Sequence, residues 1–425
     1  MTNKIDLNKQ FKKALDLMEN SSKNIFITGK AGTGKSTLLN YFCQNTERSV
    51  AVLAPTGVAA VNISGQTIHS FFKFKPEISI FEAKKKASWK KKERIYSNLR
   101  MIIIDEISMV RADLLDCVDI FLKTIFDNKK PFGGVQMVFF GDVYQLSPIL
   151  KYQDEKVFKK EYKSEHFFDA RAMDNFKFEF VELKKIYRQK DSNFIDLLNS
   201  IRDGSVTDGQ IEVINKRFIE DYSGLPEGYI YLTTIKRIAN QVNQLNLNEI
   251  PYESFVFKGH IQGKFNHNYI PAEINLELKQ NAQIMLLNND KEERWINGTV
   301  GKIIQLGREI VVVQLLNGDE VQVNPHKWDI YKMSYNNSKG KIIKKSIGSF
   351  TQFPISLAWG ITIHKSQGKT FDKVIIDVGD GAFAYGQIYV ALSRCQNLEG
   401  IILKKKIQRT DILTDQRVVE FLTSY

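Results

Sequence analysis

Cysteine is scarce in this chain of 425 residues, with only Cys43, Cys117 and Cys395, which lie far apart. An odd number of isolated cysteines argues against a disulfide framework or a cysteine metal site, and it fits a reducing compartment. The six histidines are scattered as well. No apolar run approaches the roughly 18 residues of a membrane span, and the N-terminal stretch MTNKIDLNKQFKKAL has no apolar signal core. These absences predict a soluble cytoplasmic protein with no membrane partner.

Basic residues are in excess, with 60 lysines and arginines against 48 acidic residues and a net charge of +12. Such a surplus favours a polyanionic partner, which on charge alone is either nucleic acid or a membrane surface. Hydrophobic residues make up 43% of the chain and charged residues 25%, as in ordinary globular proteins. The length exceeds that of a single core, so we expect two to four domains.

The order of patterns along the chain predicts two α/β domains. Apolar strands NIFIT, VAVLA, MIIID and QMVFF alternate with helical segments, which predicts a parallel sheet covered on both faces. Residues 75–98 interrupt this alternation with a lysine-rich insertion around Trp89, either a solvated face or a nucleic-acid contact. From about 275 to 345, short β-branched runs separated by NG and NGD turns predict a small β-barrel. The barrel would be inserted in the second α/β domain, formed by roughly 186–255 and 350–425.

A phosphate-binding loop is the strongest motif. The segment GKAGTGKS at 29–36 matches G-x-x-x-x-G-K-[ST], follows the strand NIFIT and opens the helix STLLNYF. Its glycines let backbone N–H groups curl around phosphate oxygens, and the helix N-terminus adds partial positive charge. We expect Lys35 to reach the β- and γ-phosphates and Ser36 to ligate Mg²⁺.

The string IIIDEISM supplies a second part of a nucleotide site. Asp105 follows a buried apolar strand and is expected to hold Mg²⁺ through water, whereas Glu106 is placed to activate the attacking water. No N-K-x-D string for reading guanine is present. These residues predict nucleotide hydrolysis, and the missing guanine motif favours ATP.

Three more polar residues are candidates for the γ-phosphate. Gln145 lies in VFFGDVYQLSPI, after another apolar strand, where an amide can sense the phosphate. Arg188 in KIYRQ and Arg394 in YVALSRC are expected to reach the phosphate from the second lobe, in the manner of arginine fingers. For either arginine taken alone, a surface salt bridge is the competing interpretation.

Taken together, the motifs resemble those of superfamily-one helicases of the 5′-to-3′ branch, and within it the Pif (petite integration frequency) family. The resemblance rests on GKAGTGKST, APTGVAAVNISGQTIHSFF, IIIDEISMV, FFGDVYQLSPI, KIYRQ, ITIHKSQGKTFD and YVALSRC, and on EISMVRADLLDCVDIFLK between the second and third motifs. RecD-type helicases have a similar layout and are the nearest alternative. The family's architecture implies two RecA-like lobes at 1–185 and at 186–255 with 346–425, a wedge insertion at 73–97 and an SH3-like β-barrel at 256–345.

The resemblance also implies binding residues for ATP, Mg²⁺ and DNA. Gln10 would read the adenine edge and Tyr187 would pack near the base. The implied ATP contacts are Gln10, Gly29, Gly32, Thr33, Gly34, Lys35, Ser36, Thr37, Tyr187 and Gly368, and the implied Mg²⁺ ligands are Ser36 and Asp105. The implied DNA contacts are Pro55, Thr56, Gly57, Thr67, His69, Ser70, Phe72, Thr362, His364, Lys365 and Ser366.

By this resemblance the chain is expected to move 5′-to-3′ on single-stranded DNA and to unwind tailed or forked duplexes, and G-quadruplex DNA is a further candidate substrate. A monomer in solution is expected. Three alternatives stay open from the residues: a translocase that does not separate strands, an RNA helicase, and a nucleotide kinase or GTPase switch. The motifs of the second lobe argue against the last.

Overall fold

A six-stranded parallel sheet organises the first lobe. The computed structural model describes residues 6–148, 150, 152–220, 225–263, 270–379, 381–382 and 384–425. The sheet has the order β3-β2-β4-β5-β1-β6, which agrees with the predicted parallel α/β fold. Its strands are β1 (Asn24–Gly29), β2 (Val50–Ala54), β3 (Gln66–Thr67), β4 (Met101–Ile104), β5 (Gln136–Phe140) and β6 (Phe178–Leu183). The central strands are apolar at nearly every position because both faces are covered.

Helices cover this sheet, and two of them form the segment expected to be an insertion. The helices are α1 (Lys9–Asn20), α2 (Lys35–Asn45), α3 (Gly57–Asn62), α4 (Ile68–Phe72), α5 (Ile80–Lys90), α6 (Arg94–Ser97), α7 (Ala112–Phe126) and α8 (Tyr152–Glu161). A capping box of Ser79 and Glu82 starts α5, which buries Ala83 and Ala87 and leaves Phe81 and Trp89 exposed. The 73–97 segment is therefore helical and presents aromatic side chains to solvent.

The second lobe is built on a smaller parallel sheet, with an antiparallel region inserted between its strands. The strands of this half are β7 (Ile230–Thr233), β8 (Ser254–Lys258), β9 (His260–Gly263), β10 (Asn275–Lys279), β11 (Gln283–Leu286), β12 (Val300–Leu306), β13 (Val311–Leu315), β14 (Glu320–Val323), β15 (His326–Asn336), β16 (Lys341–Gln352), β17 (Ile355–Leu357), β18 (Gly360–Thr362), β19 (Val374–Asp377) and β20 (Ile401–Leu403). The parallel sheet has the order β18-β7-β19-β20. The helices are α9 (Ser192–Asp203), α10 (Asp208–Asn215), α11 (Lys236–Glu249), α12 (Gln387–Leu392) and α13 (Gln416–Thr423).

The inserted region contains a five-stranded antiparallel sheet of order β14-β13-β12-β11-β17. The last strand of this sheet, β17, lies at 355–357. The predicted end of the β-barrel at 345 is therefore wrong, because residue 345 falls inside β16. The strands β15 and β16 form a long hairpin that reaches the first lobe. There the Met333 N–H donates to Gln66 Oε1 at 3.2 Å, and the Ile342 N–H donates to Ser49 Oγ at 2.9 Å.

The end of the chain returns to the first lobe. Phe421 of α13 stacks on Phe168 with ring centroids 4.4 Å apart, and Arg417 pairs with Asp169. The assignment of everything after 346 to the second lobe is therefore wrong for α13, because its apolar face packs on aromatic residues beside β1 and β6. Within the described residues, no helix is long and apolar enough to cross a membrane.

Candidate nucleotide-binding site and nucleic-acid track

The phosphate-binding loop joins β1 to α2, as the sequence predicts. Gly32 and Gly34 have φ angles of 80° and 84°, in the left-handed region that favours glycine. A Cβ added at Gly32 would lie 2.5 Å from the Cβ of Arg188, so the loop and the segment of Arg188 touch only because this residue is glycine. Ser36 and Thr37 lie in the first turn of α2 with exposed side chains. The loop therefore has the geometry of a phosphate cradle at a helix N-terminus.

Lys35 is the central cation of this loop. Its ammonium donates to the carbonyl oxygens of Gly29 at 2.6 Å and Lys30 at 3.2 Å. Burial lowers its pKa, and the nearby carboxylates of Asp142 and Glu106 act in the opposite direction. A buried lysine facing carboxylates is positioned to neutralise a phosphate that enters between them.

Asp105 and Glu106 follow β4 at the carboxyl edge of the sheet. Burial, together with the neighbouring Glu106, raises the pKa of Asp105 to about 7, and burial raises the pKa of Glu106 as well. Glu106 has a φ of 51°, which is uncommon for a residue other than glycine. The two carboxylates lie near the phosphate-binding loop, where the charges of Lys35 and Arg394 act on Glu106.

The residues at this position suit Mg²⁺. Across the described ranges no cluster of three histidine, cysteine or acidic side chains forms a metal site. Mg²⁺ does not need one, because it binds through one or two protein oxygens together with water and phosphate oxygens. The Asp105 carboxylate and the Ser36 hydroxyl are hard oxygen donors, the kind of ligand that Mg²⁺ takes.

Asp142 and Gln145 lie after β5 on the loop beside Glu106. The Gln145 amide donates to Asp142 Oδ2 at 3.3 Å. Arg202 of α9 pairs with the other carboxylate oxygen at 3.0 Å, and the Tyr389 hydroxyl donates to Oδ2 at 3.2 Å. Sequence reasoning missed Arg202 and Tyr389. Tyr389 lies in a quoted motif, but nothing local shows that either residue meets a carboxylate of the other lobe.

The two candidate arginines lie close together, although they reach the site differently. The backbone of Arg188 lies against the phosphate-binding loop, where the Tyr187 N–H donates to the Gly32 carbonyl at 2.9 Å. The expectation that Arg188 is presented from the second lobe is therefore wrong: its guanidinium reaches across to the carbonyl of Ser393 at 3.3 Å. Burial lowers the pKa of Arg188 to about 10.

Arg394 belongs to the second lobe and is only 1% exposed. It donates to the carbonyl oxygens of Val390 at 2.9 Å and Ser366 at 3.2 Å. Burial and the nearby charge of Arg188 lower its pKa to about 9. Within the described residues, no carboxylate hydrogen-bonds to the half-buried Arg188 guanidinium or to the buried Arg394 guanidinium, so these two neighbouring cations form a site that favours an anion.

Of the residues expected at the base, Tyr187 lies at the edge of the phosphate-binding loop. Gln10 lies half-buried in the first turn of α1. The Tyr187 hydroxyl accepts from Asn8 Nδ2 at 3.0 Å, and its ring lies 3.8 Å from the position of a Cβ on Gly34. On the second lobe, Gly368 has a φ of 75° and its carbonyl accepts from Arg188 at 3.5 Å.

The residues expected to contact DNA in the first lobe cluster at the ends of β2 and β3. Thr56 caps α3, and its hydroxyl accepts from the Ala59 N–H at 3.2 Å. Thr67 caps α4 in the same way through the Ser70 N–H, also at 3.2 Å. Pro55 and His69 are half-buried and Ser70 is exposed, whereas Gly57 is buried. Burial lowers the pKa of His69, so its ring is neutral at pH 7 and offers an N–H donor.

Phe72 is not available to DNA. Its side chain is 0% exposed and stacks on Phe74 with ring centroids 5.3 Å apart, while Phe121 of α7 meets it edge-on at 5.1 Å. The expectation that Phe72 stacks on a base is therefore wrong, because α7 covers this face of α4.

In the second lobe the expected contacts follow β18. His364 is half-buried, Lys365 is exposed, and burial lowers the pKa of His364. The Thr362 hydroxyl accepts from the Lys365 N–H at 3.3 Å. Ser366 is 0% exposed and its hydroxyl donates to the Ile363 carbonyl at 2.7 Å, so the expectation that its side chain contacts DNA is wrong.

Comparisons with known proteins agree with this geometry. The family model described as PIF1-like helicase matches residues 6–212. An ATP-dependent DNA helicase Pif1 of Bdellovibrio bacteriovorus is 31% identical over 99% of this chain and 92% of its own length. The structure of Bacteroides sp. Pif1 with ADP-AlF4 is 36% identical, covers 99% of this chain and 97% of its own, and gives a TM-score of 0.89. Bacteroides Pif1 bound to single-stranded DNA covers the same shares at 36% identity with a TM-score of 0.65.

Proposed function

Because the chain belongs to the PIF1-like helicase family, we propose that it is an ATP-dependent DNA helicase that moves 5′-to-3′ on single-stranded DNA and separates tailed or forked duplexes. The observation that carries this proposal is the position of the nucleotide site between the lobes. The phosphate-binding loop and Glu106 come from the first lobe, and Arg394 and Tyr389 come from the second. A nucleotide that fills this site therefore changes the fit of one lobe against the other.

Hydrolysis follows from the residues around the loop. Lys35 and the N-terminus of α2 bind the phosphates, and the Glu106 carboxylate accepts the proton of the attacking water. Arg188 and Arg394 stabilise the charge that develops on the γ-phosphate, once they exchange their present carbonyl partners for phosphate oxygens. Gln145 lies beside Asp142, where its amide orients the water or senses the phosphate. Asp105 and Ser36 would hold Mg²⁺, and the ion would supply the remaining positive charge.

Each lobe offers one set of contacts to the DNA backbone. His69, Ser70 and Thr56 lie on the first lobe, and His364 and Lys365 lie on the second. Closure and reopening around ATP change the distance between these sets, so that one strand advances stepwise. Contacts to phosphates make the grip insensitive to sequence and weaker at high salt.

The inserted elements complete the proposal. Helix α5 presents exposed Trp89, with the Lys85 ammonium 5.2 Å from the ring centroid, and this surface acts as the wedge that parts the strands. The five-stranded antiparallel sheet is the core of an SH3-like barrel. We propose that G-quadruplex DNA is also a substrate. We further propose that the protein works as a monomer.

Matched duplexes with a 5′ or a 3′ single-stranded tail test the direction. With ATP and Mg²⁺, we expect strand separation of the 5′-tailed duplex and little or none of the 3′-tailed one, measured by release of a labelled strand. The control is a blunt duplex of the same sequence. Separation that begins from the 3′ tail would overturn the proposed polarity.

The same assay addresses the alternatives that the sequence leaves open. A translocase without strand separation would show hydrolysis stimulated by single-stranded DNA while both tailed duplexes stay intact. An RNA helicase would be stimulated more strongly by RNA of the same sequence, and unwinding RNA rather than DNA would displace the proposal. A nucleotide kinase or GTPase switch would show hydrolysis that neither nucleic acid stimulates.

Replacing His69 and His364 together with asparagine tests the proposed track. Each lost phosphate contact costs about 1 kcal/mol, so the DNA concentration for half-maximal stimulation should rise by about tenfold or more while basal hydrolysis persists. The matched control is Phe72→Leu, which changes a buried ring of the core close in sequence to His69. It should cost about 1 kcal/mol of unfolding free energy and leave DNA stimulation unchanged. If the double variant keeps its half-maximal DNA concentration, the track lies elsewhere.

A further inference from the structure

One carboxylate of the first lobe gathers donors from both lobes. Asp142 is 1% exposed, and each of its oxygens accepts from two residues. From its own loop, Oδ1 accepts the Tyr144 N–H at 3.3 Å and Oδ2 accepts the Gln145 amide at 3.3 Å. From the second lobe, Oδ1 accepts Arg202 at 3.0 Å and Oδ2 accepts the Tyr389 hydroxyl at 3.2 Å. The carboxylate is thus shared between the lobes through both of its oxygens.

The Tyr389 hydroxyl extends this contact to the phosphate-binding loop. It accepts the Ala31 N–H at 3.0 Å while donating its own proton to Asp142. The resulting chain runs from Ala31 through Tyr389 and Asp142 to Arg202, and it crosses the boundary between the lobes at every step. Tyr389 is 3% exposed and the Arg202 side chain 9%, so water does not substitute readily for these bonds.

The backbones of the two lobes also touch at this point. Gly386, at the start of α12, has a φ of 70°, and a Cβ there would lie 2.3 Å from the Tyr144 carbonyl. The guanidinium of Arg202 lies 4.2 Å from the centre of the Tyr144 ring. The loop that carries Gln145 is therefore held between α9 and α12 of the second lobe.

These contacts have opposite consequences for Asp142 as the lobes close and open. In this structure the donors of the second lobe satisfy the carboxylate, and the Gln145 amide is held beside it. A separation of the lobes that breaks these bonds would leave Asp142 with the donors of its own loop alone. A buried carboxylate deprived of its cation draws the remaining donors closer or becomes hydrated, and either change moves the Gln145 amide.

We infer that Arg202 and Tyr389 are positioning residues that transmit the spacing of the lobes to Gln145 and to the phosphate-binding loop. They act through Asp142 and the Ala31 N–H and do not touch the nucleotide themselves. DNA that binds across both lobes would hold Arg202 and Tyr389 in contact with Asp142. This would raise the rate of hydrolysis. The inference rests on the proposed stimulation of hydrolysis by DNA.

Tyr389→Phe is the sharpest test, because it removes one hydroxyl and keeps the ring. We expect the ratio of DNA-stimulated to basal kcat to fall by about tenfold, with KM for ATP changed by less than about twofold, as for a lost group that acts only on the transition state. Tyr162→Phe is the matched control. Its hydroxyl also donates to a buried carboxylate, Asp116 Oδ2 at 2.9 Å, but within the first lobe alone. Tyr162→Phe should lose about as much thermal stability as Tyr389→Phe, and it should keep the full ratio of DNA-stimulated to basal kcat.

Arg202 provides the second variant and a rescue. Arg202→Gln removes the cation from Asp142 and should lower the same ratio, whereas Arg202→Lys keeps a charge and should recover part of it. The double variant Tyr389→Phe with Arg202→Gln should lose less than the product of the single effects, because both act through one carboxylate. If Tyr389→Phe and Arg202→Gln keep the stimulation ratio of the parent protein, or fall only as much as Tyr162→Phe, the inference is overturned. A parent protein that DNA does not stimulate at all would instead count against the proposed helicase function.

Discussion

Lys35→Ala should abolish ATP hydrolysis, with kcat reduced by at least about a hundredfold. The ammonium of Lys35 lies near the carboxylates of Asp105, Glu106 and Asp142, and its removal takes away the cation that the phosphate-binding loop supplies. The β- and γ-phosphates would then enter a negatively charged site, so both ground-state binding and transition-state stabilisation should suffer. Release of phosphate under saturating DNA is the measurement.

The control for this variant is Lys30→Ala in the same loop. Lys30 contributes its backbone carbonyl to Lys35, and that bond survives the substitution. Its own ammonium is partly buried, and burial lowers its pKa, but no carboxylate accepts from it within the described residues. Lys30→Ala should therefore keep most of the activity. Hydrolysis that persists in Lys35→Ala would show that the loop does not bind the reacting phosphates.

Glu106→Gln should separate ATP binding from hydrolysis. The amide has the shape of the carboxylate but cannot accept the proton of the attacking water, so kcat should fall by about 10²–10⁴-fold. Binding of ATP should persist or tighten, because burial already disfavours the charge on Glu106 and its removal relieves repulsion with the phosphates. A fluorescent ATP analogue measures binding, and phosphate release measures turnover.

Asp105→Asn is the comparison variant for Glu106→Gln. It changes the proposed Mg²⁺ ligand and keeps the proposed base. It should weaken nucleotide binding in Mg²⁺ more than binding in EDTA. A Glu106→Gln variant that turns over at the parental rate would remove Glu106 from the chemistry and leave another base to be found.

The motifs that predict the nucleotide site are local in the sequence. The phosphate-binding loop is a contiguous string between a strand and a helix, and Asp105 follows an unbroken apolar strand. Parallel strands bring their carboxyl ends to one edge of the sheet, so residues distant in sequence such as Lys35 and Asp142 meet there.

Long-range packing explains the predictions that are wrong. Phe71 and Phe72 lie next to each other in a helix of five residues, and the burial of both depends on Tyr96 and Phe121, which arrive later in the chain. The sequence of α13 is amphipathic, but nothing in it shows that its apolar face fits the aromatic residues of the first lobe. The boundary at 345 fails for the same reason, because β16 continues through it to pair with β9.

The return of α13 gives the two lobes two covalent joints. One is the segment 184–191 between β6 and α9, and the other is the segment 404–415 between β20 and α13. A body attached at one point can swing about any axis through that point, whereas a body attached at two turns most easily about the line that joins them. The second joint is reinforced where Asp415 meets His166 at 2.7 Å. We therefore expect ATP-driven movement of the lobes to be mainly a rotation about the line through these two joints.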